Sequence, residues 1–276
     1  MSTSTELQAQ VQTLPLAGMN VLVTRPEGAA DVLISRLQSQ GAEVLHFPAI
    51  RTIPPPSYAA LDAALDQLHT YDWLVFTSAN GIRFMVERLA TRHVDPYEEL
   101  RTCKIAVIGA GTERELACYR VSPALVPPEA IAESLRDALL QRGVGAGTRV
   151  LLPQPVEGRD VVAVGLRAVG ATVDIAPAYQ TVANTEGSAA VRRWLDGPGA
   201  KAAVVASPST VRGLLASLDG DIASLARMPL VCIGPVTAAA VTELGLAPAL
   251  VAADHTNDGL IAALIVYVNA KGVPAA

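Results

Sequence analysis

The sequence is poor in the residues that mark several large classes of protein. Aromatic residues make up 4% of the chain and charged residues 17%, and no run of lysine and arginine occurs. The net charge is −5. An acidic chain of this kind is a poor partner for nucleic acid or for an anionic membrane surface. Any anionic ligand must therefore be met by donors that the fold brings together locally.

Cysteine, histidine and long apolar runs are also scarce. The three cysteines are widely spaced and the four histidines are scattered, with no HExxH motif, so neither a disulfide framework nor a metal site is expected. The opening stretch "MSTSTELQAQVQTLPLAG" lacks the basic and apolar regions of a signal peptide. No apolar run is long enough to span a bilayer. We therefore expect a cytoplasmic protein with reduced thiols.

What the chain does contain is an alternation of apolar strand patterns with helical patterns. Hydrophobic residues make up 51% of its 276 residues, a length that favours two domains. "NVLVT" precedes a helical pattern at about 29–40, "YDWLVFTS" precedes one near 81–90, and "KIAVIG" precedes one near 112–119. This alternation predicts an α/β fold with parallel sheets.

The sequence also repeats itself. The segment that starts at Asn20 aligns without a gap with the segment that starts at Arg149, an offset of 129 residues. The same offset continues through the next strand and helix, and a short deletion then changes it to 125 residues, with Ile108-Gly109 aligned to Ile233-Gly234. A period of this length indicates a duplicated domain, because a solenoid repeats every 20–50 residues.

Both copies carry hydroxyl side chains where a strand leads into a helix. Ser78 and Ser207 follow one strand of each copy, and Thr112 and Thr237 follow another within an Ile-Gly-x-x-Thr motif. Open parallel sheets bind ligands at the carboxyl ends of their strands, where helix N-termini attract anions. The alternative for each hydroxyl is that it only caps its helix. The four matched positions together favour anion binding.

Two further candidates differ between the copies. Arg25 ends the first strand, where it could bind a carboxylate or phosphate, and its counterpart is Gln154. Tyr179 in "PAYQT" has Ile50 as its counterpart and could donate a hydrogen bond or a proton. The alternatives are a solvated arginine and a half-buried aromatic at a hinge.

A nucleotide cofactor is the competing interpretation of "VIGAGTEREL". The dinucleotide fingerprint requires a third glycine where Arg114 stands, and the second copy, "CIGPVTAAAV", lacks the second glycine as well. No Walker motif, Gly-x-Ser-x-Gly turn or paired nucleophilic cysteine occurs. The interpretation as a nucleotide-dependent oxidoreductase is therefore supported by the "GAG" motif alone.

Taken in order, "VLVTRPEG", "FTSANGI", the two IGxxT motifs, "PAYQT", "IGPVTAAAVTELGL" and "HTNDGLIAAL" resemble the uroporphyrinogen-III synthase family over about 20–268. The resemblance implies two flavodoxin-like domains, from an internal duplication, joined by two connectors around a cleft. Domain one would comprise 1–50 plus 181–276 and domain two 54–177, with connectors at about 49–54 and 177–182.

The resemblance also implies a reaction. The family cyclises hydroxymethylbilane, a linear tetrapyrrole with eight carboxylates, with inversion of the D ring and loss of water, and uses no cofactor or metal. Its cleft tyrosine corresponds to Tyr179, its cleft threonines to Thr112 and Thr237, and its strand-end hydroxyls to Ser78 and Ser207. Tyr179 would be the catalytic proton donor, whereas the threonines and serines would bind the substrate together with Arg25. We expect a cytoplasmic monomer.

The chain departs from the family pattern at two places. Gln154 stands where relatives commonly carry a basic residue, and "VVASPS" lacks the threonine of "FTS". These departures keep a second function open, that of a non-catalytic or regulatory two-domain protein that binds a tetrapyrrole or another anion. Ligand-dependent closure without turnover would be its signature.

Overall fold

The structure is a computed structural model and describes residues 14–271. Its ten strands are β1 (Met19–Val23), β2 (Glu43–His46), β3 (Ile50–Ile53), β4 (Trp73–Phe76), β5 (Lys104–Val107), β6 (Arg149–Pro155), β7 (Thr172–Ala183), β8 (Ala200–Val205), β9 (Leu230–Cys232) and β10 (Leu250–Val251).

Helices alternate with these strands along the chain. They are α1 (Asp31–Ser39), α2 (Ala59–Leu65), α3 (Ala79–Thr91), α4 (Pro96–Glu99), α5 (Ala110–Ala117), α6 (Ala132–Gln141), α7 (Val161–Ala168), α8 (Ser188–Asp196), α9 (Pro208–Ser217), α10 (Ile222–Ala226), α11 (Pro235–Glu243) and α12 (Asn257–Lys271), with one 3₁₀ turn at Leu68–Thr70. Among the described helices, none is both long and apolar enough to cross a membrane.

The chain divides into two compact units. The terminal unit contains the described residues up to Arg51 and from Val182 onward, and the middle unit is Thr52–Thr181. The sheet of the terminal unit has the order β10-β9-β8-β1-β2, and the other sheet has the order β3-β7-β6-β4-β5. Counted along its own strands, the terminal sheet has the order 2-1-3-4-5, which is typical of doubly wound α/β sheets.

The strand pairing of one unit matches that of the other at the offsets found in the sequence. The pairs β6–β7, β6–β4 and β4–β5 of the middle unit correspond to β1–β2, β1–β8 and β8–β9 of the terminal unit, and all six pairs are parallel. The matched Cα partners are Val21↔Val44 with Val150↔Val173, Val21↔Ala202 with Val150↔Trp73, and Val204↔Val231 with Val75↔Ala106.

Helices cover both faces of each sheet, which explains why the strands read as continuous apolar runs. In β4, Leu74 and Phe76 belong to a core cluster that includes residues of α2 and α3, whereas Trp73 and Val75 belong to a cluster with α6 and α7. The terminal sheet is divided in the same way between two clusters. Burial on both faces leaves the strand ends as the places where polar side chains reach the surface.

The segments predicted as connectors are strand residues. β3 contains most of the first connector, and β7 continues without interruption from Thr172 to Ala183 through the second. Tyr179 therefore lies in the sheet, opposite Pro155 of β6, next to a register shift between Gln154 and Pro155. The pairing of β7 with β6 holds the backbone of Tyr179 in place, so the position of this side chain is set within the middle unit.

Candidate functional site

The hydroxyl groups of Ser78 and Tyr179 meet at the carboxyl end of β4. Ser78 is the N-cap of α3, and its Oγ accepts a hydrogen bond from the backbone N–H of Gly81 at 3.1 Å. The same Oγ lies 2.9 Å from the Tyr179 hydroxyl oxygen. Because the serine accepts from the helix, its own proton is free to be donated to the tyrosine oxygen.

The Tyr179 ring is held by a second aromatic side chain. It stacks on Phe84 of α3, with ring centroids 5.4 Å apart and planes inclined by 19°. Only 5% of Tyr179 is exposed, and this burial raises the pKa of its hydroxyl above the ordinary value. The phenol is therefore protonated at neutral pH, which makes it a hydrogen-bond or proton donor rather than a base.

Thr112 and Thr237 occupy matching places in the first turns of α5 and α11. The N-cap residues are the glycines Gly109 and Gly234, both in an extended conformation, so neither threonine is the cap. Both threonines are buried, and neither hydroxyl makes a hydrogen bond with any residue among 14–271. Their hydroxyl groups are thus not committed to holding the fold of the described chain.

Ser207 serves the helix more completely than its counterpart Ser78. It forms a capping box with Thr210, in which each side chain accepts from the backbone N–H of the other residue, at 3.2 and 3.1 Å. Its Oγ also lies 2.9 Å from that of Ser209. The hydroxyl of Ser207 is therefore engaged in starting α9, and the capping interpretation accounts for it.

Arg25 follows β1 and is half-buried. Its Nη1 donates to the Asn257 side-chain oxygen at 2.8 Å, and its carbonyl accepts from Nε2 of His46 at 2.9 Å. Its Nε is buried and finds no hydrogen-bond acceptor among residues 14–271. Burial lowers the pKa of the guanidinium, because the charged form loses hydration. The group remains a cation at physiological pH.

The structure places the candidates of each unit at the carboxyl edge of that unit's sheet. In the middle unit, Ser78 and Tyr179 are in contact, and Thr112 follows β5, which pairs with β4. In the terminal unit, Arg25, Ser207 and Thr237 follow β1, β8 and β9, which are adjacent strands. Side-chain hydrogen bonds among these three do not occur in the described chain.

Sequence reasoning missed three residues near these candidates. Phe84 supports Tyr179, and Asn257 binds Arg25. The His255 ring covers Gly234, since a Cβ added to this glycine would lie 2.9 Å from ring atoms. The repeat could have indicated two of them, because polar side chains that only one copy carries are not needed for the shared fold. At the offset of 125 residues, His255 aligns with an alanine and Asn257 aligns with Ala132.

Gln154, the counterpart of Arg25, is buried in β6. Its Nε2 donates a long hydrogen bond of 3.5 Å to the Asp160 carboxylate, and a Cβ at Gly158 would lie 2.6 Å from the Gln154 amide carbon. The amide is thus enclosed by its own strand-to-helix loop. Residues 14–271 contain no group of three histidine, cysteine or acidic side chains arranged to hold a metal ion.

Comparison with known proteins gives consistent matches over nearly the whole chain. The family model described as "Uroporphyrinogen-III synthase HemD" matches residues 9–262. A uroporphyrinogen-III synthase of Synechococcus elongatus is 30% identical over 256 residues, which cover 91% of this chain and 96% of that protein.

Solved structures match the fold at lower sequence identity. The uroporphyrinogen-III synthetase of Helicobacter pylori matches with a TM-score of 0.62 at 14% identity, covering 90% of this chain and 99% of that one. A mutant uroporphyrinogen III synthase of Thermus thermophilus matches with a TM-score of 0.56 at 19% identity, covering 91% and 99%. These likenesses show that the chain has the α/β fold of those structures.

Proposed function

Because the chain belongs to the uroporphyrinogen-III synthase family, we propose that it converts hydroxymethylbilane to uroporphyrinogen III. The reaction removes the substrate hydroxyl as water, inverts the D ring and closes the macrocycle, so the enzyme is a cyclising hydro-lyase of tetrapyrrole biosynthesis. A linear tetrapyrrole of this kind also cyclises unaided to the uninverted isomer. The main task of the protein is therefore to orient the substrate.

The observation that carries this proposal is the pairing of the Ser78 and Tyr179 hydroxyls at 2.9 Å. A buried phenol that is protonated at neutral pH is suited to donate its proton to the departing hydroxyl. Ser78 has one lone pair committed to the N–H of Gly81, and its proton can bind the tyrosine oxygen as negative charge develops there. We assign Tyr179 as the proton donor and Ser78 as the group that stabilises its conjugate base.

Carboxylate binding is assigned to the other candidates at the two sheet edges. The uncommitted hydroxyls of Thr112 and Thr237 lie in the first turns of α5 and α11, where backbone N–H groups also attract anions. Arg25 supplies the one cation among the proposed ligands. Ser207 is also assigned to substrate binding, although its capping box leaves its hydroxyl the least free of these groups to bind a carboxylate. Such neutral donors suit a substrate with many carboxylates and a protein of net charge −5.

We further propose that the two units are flavodoxin-like domains that arose by duplication, with boundaries near 1–50 plus 181–276 and 54–177. The identical strand pairing at the offsets of 129 and 125 residues supports this origin, because independent sheets would not keep one register across three strand pairs. Expression of the middle unit alone, followed by measurement of cooperative unfolding, would test whether it is a domain.

The protein is proposed to act as a cytoplasmic monomer without a cofactor or metal. Its three cysteines are free thiols, and burial raises the pKa of Cys232 to about 11, which makes this thiol unreactive. Light scattering at micromolar concentration should give the mass of one chain, 28.7 kDa. A mass of two chains would contradict the monomer.

Dialysis against a chelator should leave the activity unchanged, and a loss of activity that a metal ion restores would contradict metal independence.

The decisive experiment is the isomer composition of the product. Purified protein incubated with freshly made hydroxymethylbilane should yield predominantly the type III isomer after oxidation and chromatography. Heat-inactivated protein provides the control, since the unaided reaction yields the type I isomer. Exclusive type I product at the spontaneous rate would contradict the proposed function and favour a binding protein without turnover.

A further inference from the structure

The guanidinium of Arg25 is held by a neutral partner. Its side-chain hydrogen bond goes to the amide oxygen of Asn257 at 2.8 Å, and no acidic side chain among residues 14–271 forms an ion pair with it. Its Nε is buried without an acceptor in the same part of the chain. A half-buried cation without an anionic partner is costly, so its positive charge is available for an external anion.

The position of Asn257 adds to this positive charge. It is the first residue of α12, a helix of 15 residues, and Thr256 before it accepts a hydrogen bond from the N–H of Gly259 at 3.0 Å. Asp258, the acidic residue of the first turn, is paired with Arg36. A helix N-terminus carries a partial positive charge, so the guanidinium beside it is disfavoured unless an anion binds there.

The middle unit folds in the same way without this pair. At the sequence offsets, Arg25 corresponds to Gln154 and Asn257 corresponds to Ala132. Ala132 is the first residue of α6, just as Asn257 is the first residue of α12. The helix therefore starts at the same place with alanine, and the Arg25–Asn257 pair is not a requirement of the fold.

We propose that Asn257 is a positioning residue that aims the Arg25 guanidinium at a substrate carboxylate without neutralising it. This inference depends on the proposed function, because the carboxylate belongs to the linear tetrapyrrole. Asparagine is suited to this role, since its oxygen accepts from the guanidinium while its amide carries no charge. Aspartate has the same shape and would bind Arg25 as an ion pair in competition with the substrate.

The test is the isosteric substitution Asn257→Asp, measured by steady-state kinetics of type III formation with hydroxymethylbilane. We expect KM to rise about tenfold, because the substrate loses one charge-assisted contact with Arg25. We expect kcat to change by less than about twofold. The salt dependence of KM should also weaken, because Arg25 no longer attracts the substrate. The melting temperature should stay the same or rise, since an acidic residue suits a helix N-terminus.

Two further variants make the result specific. Asp258→Asn removes a charge at the adjacent residue, which pairs with Arg36, and should leave KM unchanged. Asn257→Ala reproduces the residue of the middle unit and should raise KM severalfold without loss of folding. An unchanged KM for Asn257→Asp overturns the inference while the wild type still forms the type III isomer. If the wild type forms only the type I isomer, the proposed function itself fails.

Discussion

The rings of Phe84 and Tyr179 stack with centroids 5.4 Å apart, and the equivalent residues of the terminal unit are Gly213 and Ile50. In that unit the backbone of Gly213 itself lies close to Ile50 and Ala49. A Cβ added to Gly213 would lie 2.7 Å from Cγ2 of Ile50 and 2.2 Å from the Ala49 carbonyl oxygen. The same place in two matching folds therefore holds an aromatic pair in one and a close backbone approach in the other. This divergence points to a specialised role for Tyr179.

Replacing Tyr179 by phenylalanine should separate catalysis from folding. The stack on Phe84 is retained, whereas the hydroxyl that meets Ser78 is lost. We expect kcat for type III formation to fall by about a hundredfold or more, the usual contribution of a general acid. Tyr97→Phe, which removes a hydroxyl from an exposed tyrosine, is the matched control and should retain full activity. Unchanged turnover of Tyr179→Phe would remove Tyr179 as the proton donor.

The stack itself should be detectable as an energetic coupling. Phe84→Leu keeps an apolar side chain but loses the ring contact, so the free energy of unfolding should fall by about 1 kcal/mol and kcat should decrease. In the Tyr179→Phe background, the same substitution should no longer reduce kcat, because the phenol that Phe84 orients is absent. Independent effects on kcat in the double variant would show that Phe84 does not act through Tyr179.

The hydroxyls of Thr112 and Thr237 should matter for binding but not for folding. Neither makes a hydrogen bond with the described residues, so Thr112→Val and Thr237→Val should leave the melting temperature unchanged or slightly higher. KM for hydroxymethylbilane should rise severalfold in each variant. Ser207→Ala should differ from both: loss of its capping box should cost about 1 kcal/mol of stability, and KM should rise less than in either valine variant. A KM unaffected by both valine substitutions would exclude the threonines from the site.

The ion pair between Asp62 and Arg88 should make stability depend on pH. Arg88 donates two hydrogen bonds to the carboxylate, at 2.7 and 2.6 Å, and together with Arg92 it lowers the pKa of Asp62 below its ordinary value. Because the pKa is lower in the folded state, the pair stabilises the protein above the unfolded pKa of about 4 and loses its effect as the pH falls through the folded value.

Urea unfolding of wild type and Asp62→Asn at pH 7 and at about pH 3 tests this dependence. The variant should be less stable at pH 7, and the difference should shrink at the lower pH, where the aspartate becomes neutral as well. Asp66→Asn, which alters a more exposed partner of Arg92, should differ little from wild type at either pH. A difference for Asp62→Asn that is constant with pH would show that packing, and not charge, is responsible.

Much of the fold could be predicted from local patterns. The strand and helix alternation is visible in the sequence, and the helices predicted at 29–40, 81–90 and 112–119 are observed at Asp31–Ser39, Ala79–Thr91 and Ala110–Ala117. The observed helix ends differ from the predicted ones by one or two residues. One reason is that a cap such as Gly109 has no side chain by which the sequence could mark the start of the helix. The repeat also anticipated the strand pairing, since residues matched in sequence are matched in register.

The site was less predictable because hydroxyls of the same type have different partners. Ser78 and Ser207 are equivalent in sequence and both cap a helix, yet only Ser78 contacts a tyrosine, while Ser207 is enclosed by its capping box. Local spacing cannot distinguish them, because Tyr179 lies 101 residues from Ser78. The contact arises only when β7 is placed beside β6, and β6 beside β4, in the same sheet.

The sequence by itself determined that this protein is an α/β protein with two matching halves, hydroxyls at matching strand ends and single copies of Arg25 and Tyr179. These features depend on residue type, period and spacing, all of which are local or repeated. The tertiary structure decided which groups remain free for a ligand and which are consumed in holding the fold. It did so for Tyr179 through Ser78 and Phe84, and for Arg25 through Asn257, 232 residues away, because only strand order and helix packing together bring such distant residues into contact.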